Sequence, residues 1–297
     1  MHVNAQNVDQ IVTEIQHRFK IVGRTKELRQ MVLAVKARKN ILIEGEVGVG
    51  KTRMAKALAE YVGTAFFRVD GSEDLLSYVL VGYFDPPGVI AKGYVEDVFI
   101  YGPLARSMLE GGCLFINELN RIPESSQNIL LTALDEGILQ VAKLKTIQAK
   151  DSFFVVATQN PEAHVGVTAL GEALKDRFVW VHLDYQPDEE EIAIVIQEAD
   201  LSGKGQREIA QLAVKIARST RNYEDIRRGA SVRAAIDIAA LVKSNGPMQT
   251  ENTASVWTEV AIMALSTKIE LMDSVTESRE NIIKEIVLNA LQNNPFA

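Results

Sequence analysis

The sequence is short of sulfur, of imidazole and of uninterrupted apolar stretches. Cys113 is the only cysteine among 297 residues, which excludes an intrachain disulfide and any metal centre built from several thiolates. A reducing compartment follows as the expectation. The four histidines, His2, His17, His164 and His182, are scattered without ligand spacing and read as surface or internally satisfied side chains. No apolar run approaches the ~20 residues that cross a bilayer. Met1 to Lys20 lacks the basic-then-apolar layout of a secretory signal, so a cytoplasmic location is expected. Clustered positive charge is missing too: the formal net charge is −7 and spread along the chain. That balance argues against bulk nucleic-acid binding, which needs grouped Lys and Arg to neutralise phosphates, although a local basic loop remains compatible with it.

What remains is ordinary for a soluble globular protein, with 47% apolar and 24% charged residues. The length suits one large domain or a core domain with a smaller companion. No repeat or low-complexity stretch stands out. Against that plain background one segment names a chemistry. Gly45, Glu46, Val47, Gly48, Val49, Gly50, Lys51 and Thr52 fit G-x-x-x-x-G-K-[ST]. Glycines let backbone N–H groups curl around phosphate oxygens, the lysine reaches the β- and γ-phosphates of a nucleoside triphosphate, and the hydroxyl of Thr52 suits Mg²⁺. A phosphate cradle needs a strand before it and a helix after it. Asn40 to Glu44 reads as a short buried strand, and Arg53 to Val62 as a helix with Met54, Ala57, Leu58 and Tyr61 on one face. The alternative is a Gly-rich turn with no ligand.

The rest of the first 185 residues alternates in type. Val8 to Phe19 and Lys26 to Lys36 have helical spacing, with a turn-like Ile21-Val22-Gly23-Arg24 between them. Further strands are expected at Ala65 to Val69, Cys113 to Ile116, Phe153 to Ala157 and Trp180 to Leu183, with helices among them, which predicts a parallel sheet. Pro86, Pro87, Gly88 and Gly93 surround Val89-Ile90, so residues 82–93 read as an inserted hairpin or loop. From Glu189 onward the apolar spacing is helical almost throughout, broken at Leu201-Ser202-Gly203 and Asn245-Gly246-Pro247. The expected organisation is an α/β nucleotide-binding domain over residues 1–186, with an insertion near 82–98, and a helical domain over 187–297.

Hydrolysis of a phosphoanhydride is mostly positioning and charge stabilisation: a metal, a group that orients water, and cations for the γ-phosphate. At the end of the third strand Glu118 is placed to polarise a lytic water, or else simply pairs with Arg121. Asn117 stands where a carboxylate would support Mg²⁺, directly or through its water shell; an amide supplies the oxygen without the charge. Asn160, at the end of the fourth strand, could hold the attacking water or serve as a turn-former before Pro161. Arg177 precedes the fifth strand and could reach a neighbouring subunit's γ-phosphate. Arg233 opens a helix of the second domain, where nucleotide state could be sensed. Arg227-Arg228 reads as a solvated basic step.

Taken in order, these segments resemble the MoxR branch of the AAA+ ATPases. Ile21-Val22-Gly23-Arg24 is similar to that family's motif beside the adenine, Gly45 to Thr52 to its Walker A, and Phe115-Ile116-Asn117-Glu118-Leu119-Asn120-Arg121 to its Walker B. Thr158-Gln159-Asn160-Pro161 is similar to sensor 1 and Gly229-Ala230-Ser231-Val232-Arg233 to sensor 2. Tyr101-Gly102-Pro103-Leu104 and Leu134-Asp135-Glu136-Gly137 are family-like as well, and the insertion falls where this clade carries its helix-2 insert. The resemblance implies a P-loop AAA+ parallel-sheet core sandwiched by helices and followed by an all-α lid. It implies ATP and Mg²⁺ as ligands, with Val22, Lys51 and Arg53 among the nucleotide-binding residues, Thr52 and Asn117 as the metal side, and Lys51, Glu118, Asn160, Arg177 and Arg233 in catalysis. It also implies a homo-oligomer, usually a hexameric ring, in which Arg177 acts in trans, and a chaperone role maturing metal- or cofactor-containing client enzymes with a von Willebrand factor A domain partner. Two residues depart from the family pattern. Asn117 replaces the commoner Asp, a form associated with a CoxD-like subgroup, and Val232 stands where Pro is common. The first motivates a second reading, a nucleotide-gated scaffold that hardly hydrolyses ATP; a DNA-dependent motor is a third, disfavoured by the acidity.

Overall fold

A computed structural model describes residues 7–160, 170–203, 205–246 and 253–292. Residues up to Asp184, apart from Val47–Val49, form one compact unit, and Tyr185 onward together with Val47–Val49 form the other.

The first unit is built on five strands, all parallel, in the order Phe66–Asp70, Cys113–Asn117, Phe154–Gln159, Asn40–Gly45 and Phe178–Leu183. Cys113-Leu114-Phe115-Ile116 is wholly buried, as expected of a strand covered on both faces, where residues run apolar without alternation. On one face Leu42, Leu114, Ile116, Val155 and Ala157 join a core with Leu104 and Met108 of helix Pro103–Glu110 and Leu130 and Ala133 of helix Glu124–Asp135. Ile41, Ile43 and Phe115 alternate with these along their strands and are equally buried. Helices Thr25–Lys36 and Lys51–Val62, with Leu28, Met31, Met54 and Leu58 inward, pack against the strands. Because every strand is parallel, their carboxyl ends emerge along one edge, where ligands of open α/β sheets sit.

Local signals set the helix limits. Helix Val8–Phe19 starts where the Asn7 side chain accepts the N–H of Asp9, a cap worth about 1 kcal/mol, and stops at Lys20 in the left-handed region. The helix after the phosphate loop ends at Gly63, φ 77°.

The insertion differs from the expected hairpin or loop in one respect. Strands Gly82–Phe84 and Phe99–Tyr101 do pair antiparallel, but the Pro/Gly cluster between them opens a short helix, Pro86–Lys92. Asp85 caps it by accepting the N–H of Gly88 at 3.0 Å. Prolines at the first two helical positions cost nothing, since those N–H groups have no intrahelical partner, so the residues that suggest a turn here start a helix. Val89 and Ile90 lie within it, and Ile90 is 89% exposed. A second antiparallel pair, Ile138–Gln140 with Thr146–Gln148, follows helix Glu124–Asp135 and has no counterpart in the sequence reading.

The second unit packs helices Asp188–Glu198, Gln206–Ser219, Val232–Asn245, Thr253–Leu265 and Arg279–Gln292 around Val195, Leu212, Ile216, Ile238, Trp257 and Ile283. Among the described residues it is helical with one exception: Ile226–Arg228 pairs antiparallel with Glu270–Leu271. Glu191, 2% exposed, is neutralised inside this unit by Arg221 at 2.9 Å and Arg218 at 3.4 Å; a buried carboxylate without such partners would be strongly destabilising. The helix expected to end near Asn245-Gly246-Pro247 ends at Asn245, with Gly246 at φ 80° and Pro247 outside the described residues. Among the described residues no helix is long and apolar enough to cross a membrane.

Candidate functional site

The phosphate loop leaves strand Asn40–Gly45 and enters helix Lys51–Val62 at once. Gly48 and Gly50 have φ of 88° and 98°, backbone that side chains rarely adopt. A Cβ on Gly45 would stand 2.1 Å from the Leu183 carbonyl oxygen. The Lys51 ammonium donates to the carbonyl oxygens of Gly45 (2.5 Å) and Glu46 (2.9 Å) and to Asn160 Oδ1 (3.0 Å). Two sequence candidates more than a hundred residues apart are thus brought together, by the pairing of strand Asn40–Gly45 with strand Phe154–Gln159. Thr52 is half-buried in the first helical turn, and Val49 is buried. A helix start of this kind presents unpaired N–H groups and a positive dipole end to an anion.

Arg53 follows Thr52 in the same helix and is exposed. Its guanidinium donates to the carbonyls of Phe19 (3.4 Å) and Lys20 (3.0 Å), tying this helix to the end of helix Val8–Phe19. Val22 is half-buried. Its neighbour Arg24 is 7% exposed and donates to the Asp184 carbonyl at 2.8 Å and to Glu27 at 3.2 Å.

The end of strand Cys113–Asn117 is held by a run of hydrogen bonds. Asn117 Nδ2 donates to Asp70 Oδ1 at 3.0 Å, and Thr158 Oγ1 donates to Asn117 Oδ1 at 3.1 Å. The Glu118 N–H donates to Thr158 Oγ1 at 3.0 Å. Glu118 itself is in the left-handed region, φ 56° and ψ 55°, which costs a side-chain-bearing residue about 1–2 kcal/mol. Such strain persists only where the surroundings fix it and is commonest at functional sites. Its carboxylate accepts from Arg121 at 3.0 Å. The Arg68 guanidinium beside Asp70 holds that carboxyl below its ordinary range; burial opposes this, and the Asn117 hydrogen bond adds a lesser lowering. Gln159 donates to the Glu44 carboxylate across the adjoining strand.

The two arginine candidates differ in placement: a Cβ on Gly48 of the phosphate loop would stand 3.7 Å from Arg233 Cδ, whereas Arg177 is engaged by other partners. Arg177 donates to Asp135 Oδ2 at 2.9 Å and to the Ala173 carbonyl at 3.2 Å. Arg233, in the second unit, is exposed on the first turn of helix Val232–Asn245. Arg227 pairs with Asp273 and Glu270, so its charge is spent within its own unit. Pro161 and His164 lie outside the described residues.

Sequence reasoning gave Asp70 and Gly71 no role at the site, and named Thr158 only as part of the sensor 1 segment. Gly71 is required by closeness: its N–H donates to the Asn117 carbonyl at 2.7 Å, and a Cβ there would stand 2.2 Å from the Glu118 oxygen. The signal that marks Asp70 is positional, since it is the last residue of a parallel strand and so lies on the ligand edge.

A family model described as AAA domain (dynein-related subfamily) matches residues 40–178, which span the whole arrangement from the phosphate strand to Arg177. An uncharacterized protein of Staphylococcus aureus (strain USA300) is 35% identical over 210 residues, 69% of this chain and 78% of that protein. The chain belongs to the AAA family of ATPases. A second S. aureus protein (strain NCTC 8325 / PS 47), also uncharacterized, is 34% identical over 208 residues, 69% and 78% of the two chains. Two solved structures share the AAA fold: a Cytophaga hutchinsonii protein assigned as an ATPase (22% identity, TM-score 0.50, 95% of this chain and 94% of that one) and the RuvB Holliday junction branch migration motor of Thermotoga maritima (17%, 0.50, 91% and 69%). At these identities the likeness is one of fold.

Proposed function

We propose that this chain binds and hydrolyses ATP at the site formed by Lys51, Thr52, Asn117, Glu118 and Asn160, as a ring-forming remodelling ATPase of the MoxR type. The observation that carries the reading is the Lys51 ammonium held between the phosphate-loop carbonyls and Asn160. It brings the residue type that neutralises a γ-phosphate against the one that can hold a water beside it. The donor set fits Mg²⁺: the Thr52 hydroxyl and the Asn117 amide oxygen are hard oxygens of the kind that ion takes alongside substrate phosphates and water. Bound there, Mg²⁺ would neutralise charge on the phosphates.

Each side chain then has a separate task. Lys51 exchanges its carbonyl partners for phosphate oxygens, and the glycine loop supplies N–H groups around them. Asn160 and Glu118 orient a water, with Glu118 accepting its proton as the water oxygen bonds to phosphorus and the bond to the ADP oxygen breaks. The products are ADP and inorganic phosphate. In the same reading Arg177 serves a neighbouring subunit of a ring and Arg233 senses nucleotide state. The work is delivered to a metal- or cofactor-containing client enzyme through a separate von Willebrand factor A domain protein, in the cytoplasm.

The test is steady-state phosphate release from Mg²⁺-ATP by the purified oligomer. Lys51→Ala and Glu118→Gln should each lower it by about two orders of magnitude or more. If the native chain releases no more phosphate than Lys51→Ala, with or without its partner, the reading fails. A nucleotide-gated scaffold would then be favoured, for which Asn117 in the place of a carboxylate is the relevant observation.

A further inference from the structure

We propose that Asp70 supplies the carboxylate that Asn117 lacks, the acidic and amide members of the pair being exchanged between adjacent strand ends, and that Asp70 is thereby the positioning residue for Glu118. The proposal rests on the reading of Glu118 as the residue that orients water. Three strand ends meet here in register: Asp70 lies opposite Asn117, and Ile116 opposite Ala157, one residue before Thr158. The hydrogen bonds between them run in one direction. Arg68 clamps Asp70 with Nε at 3.1 and 3.0 Å from its two carboxylate oxygens and Nη2 at 2.7 Å from Oδ1. The Asn117 amide gives a proton to Asp70 and takes one from Thr158, and Thr158 takes the N–H of Glu118.

Only an amide can do what Asn117 does. It donates on one side and accepts on the other, whereas an ionised carboxylate accepts only. An aspartate at 117 would set acceptor against acceptor where the amide now donates to Asp70 at 3.0 Å. Residue 117 therefore keeps its geometry as an amide because the carboxylate it donates to is supplied at residue 70. Thr158 is fully buried, so its one proton has a fixed destination once Asn117 is oriented, and its oxygen then fixes the Glu118 N–H. The strand bearing Asp70 grips the same dipeptide a second time through Gly71, whose N–H donates to the Asn117 carbonyl. Glu118 is held in left-handed backbone between these two contacts. Loss of the Asp70 charge lets the amide turn over, releases Thr158 and lets Glu118 relax, while leaving the phosphate loop untouched.

The experiment compares the wild-type chain with Asp70→Asn, Asn117→Asp, the reversed pair carrying both changes, and Thr158→Val. Affinity for a fluorescent ATP analogue, kcat and KM for ATP, and thermal midpoint are measured on each. Asp70→Asn and Asn117→Asp should each lower kcat by about tenfold, and for Asp70→Asn KM and analogue affinity should stay within about twofold of wild type. The reversed pair should regain kcat to within about threefold, because the carboxylate and amide again face one another. Thr158→Val should lower kcat in the same way with the charges unchanged. A rise in kcat for Asn117→Asp alone, or a reversed pair no better than the worse single change, overturns the proposal. Should the wild-type chain itself not hydrolyse ATP, the ATPase reading fails separately, and the thermal midpoints decide on the pair. Strict additivity of the two single changes would then overturn it, and recovery in the reversed pair would support the pairing.

Discussion

Glu118 has two partners competing for it: the water it would orient, and Arg121, which holds its carboxylate at 3.0 Å. The magnitude decides how much the second can matter. The pair is one helical turn apart and well exposed on the arginine side, and exposed pairs of this kind contribute about 0.3–0.5 kcal/mol. A latch that weak can slow turnover by about twofold and no more. Arg121→Ala should therefore leave the thermal midpoint within about 1 °C and raise kcat up to twofold, as read by phosphate release. A fall of tenfold or more would place Arg121 in the transition state rather than in competition with it. Lys51 differs in kind, because Gly45, Glu46 and Asn160, to whose oxygens it donates, belong to the site itself.

At the scale of elements, Tyr61 joins the nucleotide helix to helix Val8–Phe19 through a 2.5 Å hydrogen bond to Glu14. Burial, then the hydrogen bond and the charge of Glu14, push its hydroxyl up from 10.0 to about 12. A group whose folded pKa is raised stabilises the fold fully below its unfolded value and loses that contribution as pH climbs through the folded one. Tyr61→Phe should cost about 1 kcal/mol in denaturant unfolding at pH 8, with the difference closing between pH 10 and 12. A constant difference across that range would mean that the hydroxyl does not carry it. Elements of this kind were legible in the sequence: helix Val8–Phe19 shows its Ile11, Val12, Ile15 stripe, and the five sheet strands are apolar runs that a parallel sheet must bury. The helix Pro86–Lys92 was not legible, because Pro and Gly serve turns and helix starts alike. Strands 138–140 and 146–148 are only three residues long, too short to show a period. In the site, Lys51, Glu118 and Asn160 stood out because each has a motif around it. Asp70 did not, since its meaning comes from a neighbour 47 residues away that only strand pairing brings to it.

At the scale of the assembly, Arg177 is the residue whose surroundings say most about what must change. In the single chain it is engaged by Asp135 at 2.9 Å, by Asp176 at 3.4 Å and by the Ala173 carbonyl. Its side chain is 30% exposed and that of Asp135 56%. Pairs so open to water contribute at most about 1 kcal/mol, whereas an arginine reaching transferring phosphate contributes several times more. Assembly into a ring could draw Arg177 off Asp135 with energy to spare. On the proposed trans arrangement, Arg177→Ala should bind the fluorescent ATP analogue and sediment as the wild-type oligomer does, yet lose about a hundredfold in kcat. Asp135→Asn, which releases Arg177 without removing it, should keep full turnover. Mixing Arg177→Ala subunits with Glu118→Gln subunits distinguishes a shared site from a private one. Where the first lends Glu118 and the second lends Arg177, one interface contains both, so activity returns in part; if each site lies within one chain, the mixture stays as silent as its components. Wild-type turnover in Arg177→Ala alone would remove the trans role and leave the arginine as a tie between helix Glu124–Asp135 and the fifth strand.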